Sequence, residues 1–350
     1  MAIKIFSSLQ KLFTSTNEKN ASLDNSENKE SEYDKLCRLS KFAQQNIDPE
    51  YGAVNIPLAT KHINKIIRSC PYPPPLALCM KGLLIEISGS SKGQLLLHRC
   101  YDTELNPAYW YKRSIEHPTQ GQFPDAYARL GGLYVQGDYV DLNKKKGIKL
   151  IDESVSLGSS LGMFIMATQY FKGDGVELNH KNYIELLFKS AELGYSRAMF
   201  LLGREYLEGN YIKKDDEKGY YFIELAAEKN NRLALFDLGL HYYNDNRRDE
   251  KYKLINREKG RKYLIRSANL GYYEAINMTD ELFNADEIDT SSNLIDSYMW
   301  HHIVYKLSGE LVYYKKTRDS VGSRMTWLDI NKAQRLAEEK IKTCFYYEII

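Results

Sequence analysis

The stretch GMFIMATQYFKGDGVELNHKNYIELLFKSAELGYSRA, residues 162–198, holds one full period of this chain. Within it Tyr170 stands three residues after the small Ala167 and three before Gly173. The same marks recur on either side. Tyr134, Tyr170, Tyr206 and Tyr242 are 36 residues apart, as are Gly131, Ala167, Gly203 and Gly239 ahead of them, while Gly137, Gly173 and Gly209 follow. Self-similarity in one phase at several positions marks a repeat architecture, in which each unit buries its apolar face against the next.

Each unit has a second half. Asn143, Asn179, Asp215 and Asn256 lie four residues before Gly147, Tyr183, Gly219 and Gly260, and an apolar helical pattern follows each. Asn and Asp are strong N-caps, because the side-chain oxygen accepts orphan amide hydrogens of the first turn. Small residues recur at Ser154, Ser190, Ala226 and Ser267, where helices must approach closely. The pattern stops at Gly158, Gly194, Asn230 and Gly271, residue types that tolerate the left-handed conformation at a helix end. Each unit therefore reads as helix, short loop, capped helix, turn.

The fourth copy is longer: Tyr242 to Gly260 spans 18 residues where the equivalent steps span 13. The extra residues are expected in the charged loop NDNRRDEKYKLINRE, on an exposed face between the two helices. A fifth copy places Phe283 at the tyrosine position and Asn293 as cap, with SYMWHHIVYKLSG as second helix. Ahead of Asp125, LALCMKGLLIEI and NPAYWYKRSIEH read as a degenerate leading hairpin. The expected fold is all-α: a right-handed α-solenoid of about six antiparallel helical hairpins, with an N-terminal helical extension and a C-terminal capping helix.

These positions resemble the Sel-one-like repeat of the tetratricopeptide superfamily, best in residues 162–198. Ser297, Tyr298, Met299 and Trp300 look like that family's Ala-Tyr-Met-Trp helix start, and INKAQRLAEEKI (330–341) is similar to its closing amphipathic helix. Gly147, Tyr183 and Gly219 stand where the family usually has alanine, and the first 75 residues match nothing in its pattern. The boundaries that follow are 1–34, an amphipathic start and disordered linker; 35–75, an N-terminal helical segment closed by Pro71, Pro73, Pro74 and Pro75; 76–124, the leading hairpin; 125–309, the repeats; and 310–350, the capping helix and tail.

Composition narrows the function classes. A formal net charge of +2 gives no polyelectrolyte character, so nucleic acid is not an expected partner. Twenty-eight tyrosines suit the many half-buried positions of a thin solenoid core. The five cysteines, Cys37, Cys70, Cys79, Cys100 and Cys344, form no CxxC pair, which argues against a zinc site or disulfide framework. No segment has the length and hydropathy of a membrane span, and Met1–Phe13 is too broken for a signal peptide, so a cytoplasmic location is expected. Its apolar spacing also suits an amphipathic helix touching a membrane or partner, although a core-docked or frayed helix explains it more simply.

Catalytic constellations are missing from the sequence. His301 and His302 are adjacent on a helix and point to different faces; SGSSKGQ (88–94) lacks the GK[ST] ending of a phosphate loop; no GxSxG or HExxH occurs. No cofactor or metal is expected. What remains is a surface. The first helices of such hairpins line a concave groove, and the variable positions flanking each tyrosine are expected to be exposed there: Leu133, Gln169, Glu205 and His241 one before it, and Gln136, Lys172, Glu208 and Asn244 two after. Arg247, Arg248, Lys251 and Lys253 of the insertion form a second candidate contact.

The expected role is therefore a non-enzymatic protein-binding solenoid. A divergent N-terminal part followed by such repeats is similar to the layout of proposed bacterial immunity proteins, and the resemblance implies a toxin or effector as partner. Two other readings stay open: a scaffold or adaptor in a signalling or membrane-associated complex, and an enzyme hidden in residues 35–124.

Overall fold

The computed structural model describes residues 56–70, 73–89, 106–117, 123–244, 250–284, 291–307 and 312–344. The chain divides into two units, residues 1–35 and 36–350, and all described residues lie in the second. The Met1–Phe13 segment and the linker to residue 34 lie outside the described residues. These form fifteen helices and no strand.

Helix α1 (Ile56–Ser69) ends just before the proline run, and α2 (Pro75–Gly89) begins on its last proline, where a missing amide hydrogen costs nothing. Helix α3 (Pro107–Ile115) is capped by Asn106, whose Oδ1 accepts from the Ala108 amide at 2.9 Å. The Asn106 Nδ2 donates to the Tyr139 carbonyl at 2.9 Å, which ties the leading hairpin to the repeat behind it.

The repeats supply α4 (Pro124–Gln136), α5 (Lys144–Ser156), α6 (Ser160–Lys172), α7 (His180–Glu192), α8 (Ser196–Glu208), α9 (Asp216–Glu228), α10 (Arg232–Tyr243) and α11 (Glu250–Asn269). Pairing runs α2 with α3, α4 with α5, α6 with α7, α8 with α9, and α10 with α11. Asn143, Asn179 and Asp215 cap α5, α7 and α9, each accepting at 3.0 Å from the amide three residues on. Their own amides donate to the Tyr134, Tyr170 and Tyr206 carbonyls at 2.8–3.0 Å, so each hairpin loop is closed by the tyrosine. The turns between hairpins fall at Gly158, Gly194, Asn230 and Gly271, all with positive φ, as their residue types led us to expect.

Two contacts set how closely the helices of a hairpin approach. A Cβ on Gly131 would lie 2.7 Å from the Gly147 carbonyl oxygen, one on Gly203 would lie 2.8 Å from that of Gly219, and one on Gly260 would lie 2.7 Å from that of Gly239. At the other end of the hairpin the buried serine of the second helix donates to the carbonyl of the first residue of the first helix. The pairs are Ser114 to Pro75, Ser154 to Pro124, Ser190 to Ser160 and Ser267 to Arg232, at 2.7–2.8 Å. Ala226 takes this position in the third repeat, and there the Ser196 hydroxyl instead accepts from Asn231 at 3.2 Å.

Two expectations change. Asn256 does not cap the fourth second helix: α11 starts at Glu250 and runs 20 residues, so much of the insertion lengthens a helix. The segment EKYKLINRE is mostly Glu, Lys, Leu and Arg, good helix formers, with no Gly or Pro to stop the helix. Asn293 likewise lies inside α13 (Ser291–Leu307), two residues after its start. The repeat tyrosines mostly take the half-buried positions of a thin core. Tyr134 is buried, while Tyr170, Tyr206 and Tyr242 are half-buried beside the loops.

The fifth hairpin of the repeat series joins α12 (Tyr273–Asn284) to α13. Two helices rather than one then pack on α13: α14 (Val312–Gly322) and α15 (Trp327–Cys344). The INKAQRLAEEKI segment lies in α15, and its Ala333 and Ala337 are fully buried in one core with Tyr298, Trp300 and Ile303.

The close glycine crossings make a direct prediction. Gly203→Ala should destabilise the chain by about 1–3 kcal/mol, because both helices must separate to admit the methyl group. Asn179→Ala should cost about 1 kcal/mol through the lost cap. Thermal or urea unfolding of the two variants checks both.

Candidate functional site

The structure sorts the expected groove residues into two sets. Gln136, Lys172, Glu208, His241 and Asn244 are exposed. Leu133, Gln169 and Glu205 are not: their exposures are 3%, 8% and 9%. In the first three repeats the position before the tyrosine falls on the buried stripe of its helix, with Ala126 and Leu130 in α4, Met166 in α6, and Ala198 and Leu202 in α8. For Leu133 this is ordinary core. For Gln169 and Glu205 it buries polar groups, and the Gln169 Oε1 and the Glu205 Oε2 have no hydrogen-bond partner among the described residues. Such groups are costly, and native structures contain few of them.

Glu205 sits in a cluster built by the second repeat's departure from the glycine crossing. Where the other repeats have Gly147, Gly219 and Gly260, this one has Tyr183, opposite Ala167 rather than glycine. The Tyr183 ring is buried, and its hydroxyl donates to the Glu205 Oε1 at 3.0 Å. Phe171, at the end of α6, lies 5.0 Å from Tyr183 between ring centroids. Tyr211, in the loop after α8, meets Phe171 at 5.9 Å and Tyr183 at 6.1 Å, near-perpendicular to both. The His180 imidazole stacks on Tyr211 at 4.1 Å. Phe171 and Tyr211 keep 41% and 39% of their surface exposed.

Burial pushes the Glu205 carboxyl above the usual carboxylate range, helped by repulsion from Glu208 and opposed by the Tyr183 hydrogen bond and by His180. The Tyr183 phenol is raised in turn, first by burial and then by the Glu205 charge.

Glu208 continues this surface along α8 into a cleft of about 440 Å³ lined by Arg204, Leu207, Glu208, Tyr220, Ile223, Asp237, Leu240 and His241. Here two of the expected residues, Glu208 and His241, do come together. Arg204 links Glu208 to α10, with contacts of 2.6 Å to Glu208 and 3.1 Å to Asp237. The Tyr220 hydroxyl lies 2.8 Å from His241 Nδ1. Burial raises the Asp237 carboxyl despite the Arg204 hydrogen bond. Sequence reasoning did not select Phe171, Tyr183, Tyr211, Arg204 or Asp237. Tyr183 alone carried a signal, as the one bulky residue at a small-residue position.

The remaining candidates are quickly placed. Arg247 and Arg248 lie outside the described residues, as do the side chains of Lys251 and Lys253, which α11 contains. His301 and His302 are both buried in the last core, and the His301 Nδ1 packs 2.6 Å from the Ser297 carbonyl. In the leading hairpin Cys79 is fully buried and its thiol is pushed up by burial, the reverse of an activated nucleophile. Among the described residues no cluster of three or more His, Cys, Asp or Glu could hold a metal, and no helix is long and apolar enough to cross a membrane.

Stacked helical hairpins, closed by cap-to-tyrosine hydrogen bonds and presenting a polar, aromatic face, define an α-solenoid of the helical-repeat class. The Sel1 repeat model matches residues 124–159, 160–195, 196–231 and 232–272, so this part of the chain is four consecutive Sel1 repeats. Its last match is longer than the others and takes in the insertion.

Similar solved structures include a Sel1 repeat protein from Oxalobacter formigenes, 15% identical, covering 88% of this chain and 99% of that one with a TM-score of 0.49. A protective antigen of uropathogenic Escherichia coli with an SLR fold is 15% identical, with 88% and 84% covered and a TM-score of 0.37. An immunity protein from Pseudomonas aeruginosa is 20% identical, with 68% and 79% covered and a TM-score of 0.41. No curated protein matches the chain in sequence.

The buried carboxylate predicts an unusual pH response. A raised carboxyl binds its proton more tightly folded than unfolded, so its contribution to stability falls as pH rises through the carboxylate range. Glu205→Gln keeps the acceptor for Tyr183 and removes the charge. The variant should be more stable than the parent at neutral pH, with the difference shrinking as the pH is lowered toward 4; urea unfolding at both pH values checks this.

Proposed function

We propose that this chain is a non-enzymatic protein-binding solenoid that holds its partner along α6, α8 and α10. The observation that supports this most directly is the continuous patch from Phe171 and Tyr211, through Glu205 and Glu208, to Arg204, Asp237 and His241. It combines exposed aromatic rings, a buried carboxylate oxygen without a partner and a cleft of about 440 Å³. Recognition sites concentrate such aromatic and arginine anchors within a polar rim. In its finer form the reading is an immunity protein in the cytoplasm, binding a secreted bacterial toxin. That form rests on the likeness of layout: a divergent N-terminal part ahead of Sel1 repeats.

Affinity capture with the full chain from its native cell tests the coarser reading, and inhibition of the captured partner's toxicity tests the finer one. Replacing Arg204, Glu208 and His241 together with alanine should weaken partner binding about a hundredfold, because a few anchors dominate such interfaces. Unchanged binding would exclude the cleft, and absence of any protein partner at physiological salt would remove the reading itself.

A further inference from the structure

We propose that the aromatic corner of Phe171, Tyr183 and Tyr211 around Glu205 receives the guanidinium group of an arginine side chain presented by the partner protein. This rests on the protein-binding reading above and names the chemistry its central anchor would recognise.

The scaffold does not need this cluster. Three of the four repeats cross their helices at glycine pairs, and only Tyr183 departs from that to place a phenol beside a buried carboxylate. The Tyr183 hydroxyl occupies Oε1 of Glu205 at 3.0 Å and leaves Oε2 unpartnered on a side chain that is only 9% exposed. A buried carboxylate oxygen without a donor asks for a cation or a hydrogen-bond donor. Glu208 disfavours the charge on this carboxylate, and His180, stacked on one face of Tyr211 at 4.1 Å, favours it. Arg204, the nearest arginine along α8, is already held by Glu208 and Asp237.

The rings narrow the ligand further. Tyr211 stands near-perpendicular to Phe171 and Tyr183 at centroid distances of 5.9 and 6.1 Å, and both Phe171 and Tyr211 are open to solvent. Cations bind over ring faces within about 6 Å of the centroid. Guanidinium fits better than ammonium here, because it is planar, stacks on aromatic rings, carries several donors for Oε2 and gives up its hydration more readily. A metal ion is the poorer fit, since no three-ligand cluster exists among the described residues.

The test uses the full chain with carbon-labelled tyrosine rings and N-acetyl-arginine N-methylamide as probe, followed by NMR. Saturable shifts of tyrosine ring signals are expected, with a dissociation constant of about 1–10 mM, the range for a single side chain. Glu205→Gln and Tyr211→Ala should each weaken binding about tenfold or more, while amide spectra and melting temperatures show both variants folded. The corresponding lysine derivative should bind more weakly. No saturable shift, equal binding of lysine, or undiminished binding by the folded Glu205→Gln variant would each overturn the proposal. A captured partner retained by Glu205→Gln, without arginine binding, would sink this site and leave the protein-binding reading intact. Arginine binding with no capturable partner would do the reverse.

Discussion

Each hairpin depends on how closely its two backbones can approach. At Gly131 and Gly147, Gly203 and Gly219, and Gly239 and Gly260 there is no room for a methyl group. At the far end the serine latch, as from Ser154 to the Pro124 carbonyl, fixes the start of one helix against the other. Helices α4 to α9 are each 13 residues long, and the cap residue's amide always reaches the carbonyl of the tyrosine. Lys146 and Lys259 lie against the ring faces of Tyr134 and Tyr242 at 4.1 and 3.8 Å, and the Lys146 Nζ also donates to the Tyr134 hydroxyl at 2.7 Å. These tyrosines therefore serve as loop covers as much as core residues.

Such a rule makes its exception informative. In the second repeat Ala167 and Tyr183 replace the glycine pair, and Tyr183 reaches Glu205 on α8 of the following repeat. Phe171, His180 and Tyr211 then gather about it, from a helix end, a helix start and a loop. A carboxylate held at the buried edge of these rings is a poor stabilising device, since its charge is desolvated and only half satisfied. It is a reasonable recognition device, because a ligand that supplies the missing donor recovers the interaction. The adjoining cleft differs in kind: Arg204, Glu208 and Asp237 already satisfy one another at its mouth. A partner there must compete with ion pairs, whereas at Glu205 it meets an empty acceptor.

Much of the architecture was legible in the residues. Spacing of tyrosines, caps and turn glycines located the repeat boundaries, because each of those residues answers a local backbone demand: an N-cap acceptor at Asn143, Asn179 and Asp215, or a left-handed φ at Gly158, Gly194, Asn230 and Gly271. Local demands leave marks at fixed intervals. Where they weaken, so does the reading: Asn256 and Asn293 had the right type and the wrong place, since each lies inside a helix that begins before it.

The sequence by itself determined the stacked helical hairpins, with Asn143, Asn179 and Asp215 as caps of second helices and turns at Gly158, Gly194, Asn230 and Gly271. Only the tertiary structure decided which polar residues face the interior. Gln169 and Glu205 share a repeat position with Leu133 and His241, and variation there looks the same in a sequence whether the position is solvated or buried. At Glu205 the interior contact comes from Tyr183 of the preceding hairpin, 22 residues away, and Tyr183 and Tyr211, 28 residues apart, meet around the same carboxylate only in the fold.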